Sequence, residues 1–368
     1  MLTDQNFPII EYNYKLGPLE NGKKHGESFR VGINELVSIR KNLLINKNPA
    51  LKNDLNYLSV MQFEATKKYA PGLATELEGI AIGANVSIED IVILNNYTDF
   101  RDIGLENEGC TTLHLMSGQE SICGQTWDMH SSAKNYVCLI HVPGDENRAG
   151  QIYFSLVGCL GMMGANTHRL LVGVNNINTK NAEASIIWPA LIRNGIDRSS
   201  NFETLEKMIS QAPVTSGHNY LISSSKKGAM WEVSPVASEK VADLSFFNGK
   251  QKSIYHTNHC IGQRNKEIEA KISLNSTTHD RYNILESNLL NINSFEDVQT
   301  LLHGHENYPK SICSHYESSD QDPSTTCGGG IFDLNQGNLY MWRGCPTYDN
   351  NFISYNFKIK DNSFFQMN

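Results

Sequence analysis

Cys110 is the residue of this sequence best placed to act as a nucleophile. It follows Gly109 in the segment LENEGCTT (105–112), where a small flexible residue precedes a thiol and a β-prone stretch comes after it. A thiolate attacks carbonyl carbon readily, but most unpaired cysteines are inert members of a core. The groups that neighbouring elements bring to Cys110 decide between these two interpretations.

Two predicted strands bring a carboxylate to Cys110. The turn-forming residues SGQE separate CTTLHLM from SICGQTWD, which is typical of a β-hairpin. If Met116 pairs with Ser121, Cys110 lies opposite Trp127, and a shift of one residue places it opposite Asp128. In either register the Asp128 carboxylate lies beside Cys110, where it can orient an amine or hold a strained peptide bond. Taken alone, an acid at a strand end is more typical of a turn.

The predicted secondary structure that must position these residues differs between the first hundred residues and the rest of the chain. The first hundred residues have the periodicity of amphipathic helices, and further helices are predicted at 201–212, with Asn201 as a cap, and at 294–304, where Ser294 and Asp297 resemble a capping box. From Cys110 onward, short apolar runs alternate with turn residues, which indicates a largely antiparallel set of strands. The predicted class is α+β, with sheets covered by helices.

Composition excludes several classes of function. The chain has 368 residues, 40% of them hydrophobic and 19% charged, and a formal net charge of -8, which argues against nucleic-acid binding. No segment predicts a membrane span. The first residues do not resemble a signal peptide, and eight widely spaced cysteines in a chain of this length indicate reduced thiols. These features predict a cytoplasmic protein.

Several segments together resemble one known family. They are GKKHGE (22–27), Gly109 with Cys110, GQTWD ending on Asp128, the glycine-spaced GCLGMMGANTHRLLVGVNN (158–176) and HTNH (256–259). In order and spacing they resemble the acyl-coenzyme A:6-aminopenicillanate acyltransferase (isopenicillin-N N-acyltransferase-like) family of N-terminal-nucleophile hydrolases. That family also includes amidases such as the β-alanyl-dopamine hydrolase of insects. The resemblance covers residues 15 to 350, approximately.

The resemblance implies a self-cleaving precursor and a particular fold. One catalytic domain, 1–368, would be cut before Cys110 into an α chain of 1–109 and a β chain of 110–368, and would fold as a four-layer αββα sandwich. The cut frees an α-amine on Cys110 whose unperturbed pKa is about 7.7 to 8.0. That amine can serve as the base for its own thiol, so no catalytic histidine is required. The implied enzyme is a cysteine amidohydrolase or N-acyltransferase acting on small-molecule amides or acyl thioesters.

The resemblance also assigns supporting roles. Asn258, and with less support Asn175, would stabilise the oxyanion, and Arg281 would brace Asp128 and the nucleophile. Thr111 and Thr112 either hydrogen-bond the new amine or simply build the strand. Two positions depart from related sequences: Gln125 stands where bile-salt hydrolases have arginine, and Ser314 stands where the family often has arginine.

Other interpretations remain open. His256, His259 and Cys260 lie close together, and Cys313 with His315 could add metal ligands, but no CxxC or HExxH is present, so no metal and no cofactor are expected. Gly158, Gly161 and Gly164 could suggest a phosphate-binding loop, but the GK[ST] motif of such a loop is absent. The alternative from another class is an uncleaved, non-catalytic small-molecule-binding protein on the same fold. The oligomeric state does not follow from the sequence.

Overall fold

Most of residues 7–102 form helices, as the periodicity of the first hundred residues predicts. The structure, a computed structural model, describes residues 7–102, 109–245, 252–272, 276–315 and 324–367. Proline opens α1 and α4 within their first two positions, and the Ser87 capping box opens α5. A short strand, β1 (Ile9–Glu11), is followed by α1 (Gly17–Ser28), α2 (Arg30–Lys47), α3 (Leu51–Tyr69), α4 (Pro71–Ala84), α5 (Ile88–Asn95) and α6 (Tyr97–Asp102).

Glycines allow α1 and α4 to pack backbone against backbone. A Cβ at Gly22 would lie 2.2 Å from the carbonyl oxygen of Glu76, and one at Gly83 would lie 2.2 Å from that of Lys23. These contacts leave no room for a side chain. Between them, His25 accepts a 2.9 Å hydrogen bond from the Gly158 N–H. The GKKHGE segment therefore docks the first helices onto the strand region.

An eight-stranded sheet carries the first half of the strand region. Its strand order is β1-β4-β5-β6-β7-β8-β9-β10, with β1 parallel to β4 and the other neighbours antiparallel. The sheet pairs the first strand of the chain with strands that come more than a hundred residues later. Its further members are β4 (Val137–Val142), β5 (Gln151–Leu156), β6 (Met163–Asn166), β7 (Leu170–Asn176), β8 (His218–Ser223), β9 (Lys227–Val233) and β10 (Ser238–Ser245).

A seven-stranded sheet carries Cys110. Its order is β11-β2-β3-β12-β13-β14-β15, and every neighbouring pair is antiparallel. The strand that begins with Cys110 therefore has a hydrogen-bonded strand on each side. The members are β2 (Cys110–Ser117), β3 (Glu120–His130), β11 (Lys252–His256), β12 (Ser324–Asp333), β13 (Asn338–Arg343), β14 (Ile353–Lys360) and β15 (Ser363–Met367).

Helices cover the outer face of each sheet. On the eight-stranded sheet lie α7 (Trp188–Arg198) and α8 (Phe202–Ser210), and on the seven-stranded sheet lie α10 (Thr278–Asn288) and α11 (Phe295–Leu302), with the short α9 (Gln263–Ile268) between them in sequence. The two sheets face each other through β2, β3 and β7. The predicted α+β class and four-layer αββα sandwich are confirmed.

Alternation along β2 sorts its side chains between two cores. Leu113 and Leu115 belong to the cluster beneath α10 and α11, whereas Met116 packs with Leu221 of the opposing sheet. Because successive residues of a strand point to opposite faces, Cys110 points between the sheets and Thr111 points toward α10.

No helix within the described ranges is long and apolar enough to cross a membrane.

Candidate active site

Cys110 is the first residue of β2 and lies between the two sheets. Its side chain is buried, with 7% of the residue exposed. The β2–β3 hairpin has the register that pairs Met116 with Ser121, so Cys110 lies opposite Trp127. All eight cysteines fall within the described residues, and none of them forms a disulfide.

Gly109 lies between Asp128 and Arg281. The N–H of Asp128 donates a 2.9 Å hydrogen bond to the carbonyl oxygen of Gly109. A Cβ at position 109 would lie 2.8 Å from Oδ2 of Asp128 and 2.9 Å from Nη2 of Arg281. Glycine is therefore the residue that lets a carboxylate and a guanidinium flank the same peptide bond.

Asp128 is a buried acid. One of its carboxyl oxygens accepts a hydrogen bond, and the other has no hydrogen-bond partner among the described residues. Thr326 of β12 donates a 2.7 Å hydrogen bond to Oδ1, and Oδ2 is the unpartnered atom on the side of Gly109. Burial raises the pKa of Asp128 to about 6, and the Arg281 charge and the Thr326 hydroxyl only partly offset that effect. Asp128 therefore combines a raised pKa with an acceptor oxygen, Oδ2, that has no hydrogen-bond partner among the described residues.

Arg281 of α10 donates hydrogen bonds to three groups around Cys110. One Nη1 contact is 2.6 Å to the carbonyl oxygen of Cys110 and another is 2.9 Å to Oγ1 of Thr111, while Nη2 donates to Oδ1 of Asn258 at 2.8 Å. Burial lowers the pKa of Arg281, and the nearby Asp128 opposes that shift. The fork of the guanidinium thus fixes the backbone of Cys110 and the orientation of Asn258 at once.

Asn258 faces the backbone nitrogen of Cys110. Its Oδ1 accepts a 2.8 Å hydrogen bond from the Cys110 N–H, and its Nδ2 donates a 2.8 Å bond to the carbonyl oxygen of Asn176. Because Arg281 can only donate, the Asn258 atom facing it must be the oxygen, which fixes the amide orientation. The Nδ2 group carries two N–H bonds, and one acceptor is present for them among the described residues. One side-chain N–H of Asn258 therefore has no acceptor among the described residues.

Asn175 contacts Cys110 from the opposing sheet. Its Nδ2 donates to the carbonyl oxygen of Cys110 at 2.9 Å and to that of His256 at 3.4 Å. Its Oδ1 accepts from Thr112 Oγ1 at 2.7 Å and from Asn219 Nδ2 at 2.8 Å. Both N–H bonds of this amide are thus engaged with backbone carbonyls, so Asn175 holds the start of β2 and the end of β11 in place.

The cavity at Cys110 is small and mostly apolar. It offers about 20 Å³ to the centres of water molecules, which is room for about one ordered water. An acyl chain does not fit without movement of the walls. The lining consists of Cys110 with Thr98, Trp127, Asp128, Met129, Val174, Asn176, Trp188 and His218.

Comparison with known families assigns this chain. Residues 115–347, more than half of the sequence, match the model of "Acyl-coenzyme A:6-aminopenicillanic acid acyl-transferase". The chain belongs to this acyltransferase family. The matched range contains Asp128, Asn175, Asn258 and Arg281 and begins five residues after Cys110. The resemblance inferred from the sequence is confirmed.

Individual relatives align with 70% or more of this chain. The 40 kDa form of the acyl-coenzyme A:6-aminopenicillanic-acid-acyltransferase of Emericella nidulans is 25% identical over 314 residues, covering 84% of this chain and 85% of that protein. Among solved structures, the Caenorhabditis elegans ortholog of N-acylethanolamine-hydrolyzing acid amidase aligns with 70% of this chain and 100% of its own, at 12% identity and a TM-score of 0.41. A variant of the conjugated bile acid hydrolase of Clostridium perfringens aligns with 70% of this chain and 96% of its own, at 11% identity and a TM-score of 0.42.

The two positions that depart from related sequences have structural roles in this member of the acyltransferase family. Gln125 donates to the Val174 carbonyl oxygen at 2.8 Å and accepts from the Val174 N–H at 2.9 Å, so it joins the two sheets. The N–H of Ser314 donates to Oγ1 of Thr326 at 2.8 Å, and the Ser314 carbonyl accepts from the Thr326 N–H at 2.9 Å. Ser314 thereby holds the threonine that holds Asp128.

Sequence reasoning missed three residues that support this site. Thr326 holds the Asp128 carboxylate, Thr278 accepts a 2.7 Å hydrogen bond from the Asn258 N–H, and Asn219 orients Asn175. Thr278 opens α10, and the other two lie on strands far from their partners in sequence. Only the strand register, in which Thr326 pairs with Asp128, reveals the first of them.

Proposed function

We propose that this acyltransferase-family member is an autoprocessing enzyme with an N-terminal cysteine nucleophile. The observation that carries the proposal is that Asp128, Asn258 and Arg281 all converge on the backbone of residues 109 and 110. A merely structural buried cysteine needs no such arrangement of polar groups around its peptide nitrogen and the preceding carbonyl. The enzyme would form an acyl thioester on Cys110 and pass the acyl group to water or to an amine.

Maturation would begin with attack of the Cys110 thiol on the carbonyl carbon of Gly109. A C–S bond forms and the C–N bond breaks, while the thiol proton passes to the departing nitrogen, which becomes the α-amine of Cys110. The Asp128 N–H stabilises the negative charge that develops on the Gly109 oxygen. Water then hydrolyses the thioester, which releases a Gly109 carboxylate and restores the thiol. The products are chains of 1–109 and 110–368.

Turnover would use the same thiol with the newly formed amine as its base. The amine takes the thiol proton as sulfur attacks the acyl carbonyl of the substrate, and then returns it to the leaving group. Asn258 Oδ1, which holds the nitrogen of Cys110 in this structure, would orient the amine. The second N–H of Asn258 Nδ2 would donate to the oxyanion, whereas Asn175 and Arg281 would keep the Cys110 carbonyl in place. Thr111 and Thr112 would serve as their anchors on β2.

The substrates proposed are small-molecule amides or acyl thioesters. The walls nearest Cys110 include Trp127, Met129, Val174 and Trp188, which would accept an apolar acyl group. Removal of Gly109 from its place after the cut would vacate the position that a substrate carbonyl needs. The name of the Emericella nidulans relative includes acyl-coenzyme A, which is an acyl thioester.

Intact-mass analysis of the purified protein tests the central claim. Wild type is expected to yield two fragments, one that ends at Gly109 and one that begins at Cys110. Cys110→Ala is expected to remain one chain and to show no turnover. Cys123→Ala is the matched control, because Cys123 is equally buried on the neighbouring strand and lies outside the site. Cleavage in Cys110→Ala, or a wild-type chain that stays intact and inactive, would overturn the proposal and leave a non-catalytic binding protein as the better account.

A second experiment separates hydrolysis from transfer. N-acyl amino acids, β-alanyl amines and acyl thioesters are incubated with matured enzyme, and acid-quenched samples are searched for an acyl mass on the Cys110 peptide. Added amine acceptors are expected to divert product from acid to amide if the enzyme is a transferase. Product that stays entirely acid at saturating amine identifies a hydrolase.

A further inference from the structure

A cluster of four nitrogen and sulfur ligands lies at the end of the seven-stranded sheet, outside the Cys110 site. It consists of His305, Cys313, His315 and Cys345, whose ligand atoms all lie within 4.8 Å of one another. The four residues come from three chain segments: one after α11, one before β12 and one after β13. Both cysteines are fully buried and both histidines are partly buried.

The separations within this cluster match those of ligands around one tetrahedral ion. Nε2 of His305 and Nε2 of His315 are 3.3 Å apart, Cys313 Sγ is 3.6 Å from His315 Nε2, and Cys345 Sγ is 3.3 Å from His305 Nε2. Zinc bonds of about 2.0–2.1 Å to nitrogen and about 2.3 Å to sulfur at tetrahedral angles give N–N separations of about 3.3 Å and N–S separations of about 3.6 Å. Three of the six separations therefore lie within about 0.3 Å of those expected around one zinc ion, and none of the six exceeds 4.8 Å.

We propose that His305, Cys313, His315 and Cys345 form a structural zinc site. Two thiolates and two neutral imidazoles are a ligand set that Zn²⁺ favours, and they leave no position for water or substrate. Two thiolate charges neutralise the charge of the ion, which suits a site whose sulfur atoms are buried. Harder cations, which prefer oxygen ligands, do not fit this set.

Groups outside the four ligands hold them in place. The N–H of Thr347 donates to Cys345 Sγ at 3.4 Å, and the Cys345 N–H donates to Oδ2 of Asp349 at 2.7 Å. Lys134 fixes the other oxygen of Asp349 at 2.7 Å. The ring of Tyr348 packs against both histidine rings, with centroids 4.9 Å and 5.1 Å away. Hydrogen bonds to sulfur and covering aromatic rings orient zinc ligands and limit access by water.

The zinc site connects to the Cys110 site through a single residue between two ligands. Ser314 lies between Cys313 and His315, and its backbone N–H donates to Thr326 Oγ1, which in turn donates to Asp128. An ion that fixes residues 313–315 against Cys345 would therefore fix the carboxylate at Gly109. The metal would have a positioning role and would not touch substrate.

The sequence suggested five possible metal ligands, namely His256, His259, Cys260, Cys313 and His315. These five residues do not lie together in the structure. His256 Nε2 lies 2.9 Å from Oε1 of the buried Glu232, and His259 Nδ1 lies 3.0 Å from Thr278 Oγ1. Of those five, only Cys313 and His315 belong to the cluster. Cys260 is consequently a suitable control, being a buried cysteine of the same chain outside the proposed site.

Metal analysis of the full chain tests this proposal independently of cleavage. Protein purified without chelator, as wild type and as Cys110→Ala, is expected to hold about one zinc per chain by elemental mass spectrometry, falling to below about 0.1 in Cys345→Ser. Cys260→Ser is expected to keep its zinc. Cobalt added to chelator-treated wild type should give the intense visible bands of a tetrahedral thiolate site, a measurement that does not depend on the folding of any variant.

Three outcomes would overturn the zinc site. The first is wild type that takes up no zinc or cobalt after reduction and dialysis against the ion. The second is loss of zinc in Cys260→Ser but not in Cys345→Ser. The third is a Cys313–Cys345 disulfide in protein isolated under reducing conditions, because an oxidised pair cannot supply two thiolates.

Discussion

The N–H of Asp128 donates a 2.9 Å hydrogen bond to the carbonyl oxygen of Gly109. In the proposed maturation that oxygen acquires negative charge as the thiol attacks. A backbone N–H on an ordered strand is already aimed at this oxygen, so it stabilises the charge without rearrangement. The same residue also places a carboxylate oxygen on the side of Gly109, and that oxygen has no hydrogen-bond partner within the described part of the chain. Asp128 thus lies at one peptide bond with both its backbone N–H and its side chain.

Gly109→Ala should slow self-cleavage by at least about tenfold, because misplacement of reacting groups by about 1 Å reduces rates strongly. The added Cβ would lie within 3 Å of both Asp128 and Arg281 and would push them from the bond. A time course on denaturing gels measures the effect. Gly72→Ala is the control, since a Cβ there meets one atom at 3.9 Å. Equal rates for Gly109→Ala and wild type would remove the steric argument.

Maturation of wild type should slow as the pH falls below about 6. The pKa of Asp128 is raised to about 6 by burial, so the fraction of carboxylate drops about tenfold for each pH unit below that value. Asp128→Asn should mature about 100-fold more slowly at neutral pH and should lack this acidic limb. Rates of fragment appearance across pH provide the measurement. An acidic limb that persists unchanged in Asp128→Asn belongs to another group.

Asp128→Asn should stabilise the uncleaved protein at neutral pH. The folded-state pKa of about 6 exceeds the ordinary 3.8, so the unfolded chain binds fewer protons between these values and the folded state loses stability as the pH rises through that window. The full penalty, about 3 kcal/mol at most, applies above pH 6. Denaturant unfolding in a Cys110→Ala background should show the gain at about pH 8 and a much smaller one at about pH 4. A destabilised variant at neutral pH contradicts this account.

Asn258→Asp should separate the two proposed roles of Asn258. Aspartate keeps an oxygen acceptor for the Cys110 nitrogen and for Arg281 but lacks the Nδ2 donor. Self-cleavage, which uses the Asp128 N–H, should persist, while kcat falls about 100- to 1000-fold. Asn258→Ala, which loses both functions, should fail in both steps. Turnover by the aspartate variant at the wild-type rate would assign the oxyanion to other donors.

The local part of the site follows from the sequence. One short turn between two apolar runs fixes the β2–β3 register, and that register alone places Trp127 and Asp128 beside Cys110. The Asn201 cap and the Ser294–Asp297 capping box are likewise confirmed, because each depends on residues three positions apart.

Long-range partners do not follow from the sequence. Thr326 reaches Asp128 across 198 residues and Asn175 reaches Cys110 across 65, through sheet orders that no single segment encodes. The order of the strands at the sheet edges does not follow from the sequence either. The zinc ligands illustrate the same limit, since three segments supply them and only two ligands share a short spacing.

The parallel pairing of β1 with β4 has a consequence for the mature enzyme. Ile9 to Glu11 lie in the proposed first chain and pair with Leu139 to His141 of the second, and the helices of the first chain pack on the same sheet. After the cut, unfolding would separate two molecules, so refolding would become a second-order process that depends on dilution. The precursor would refold as a single chain, whereas the mature enzyme would refold only if its two chains met again. Cleavage would thereby make unfolding effectively irreversible at low protein concentration.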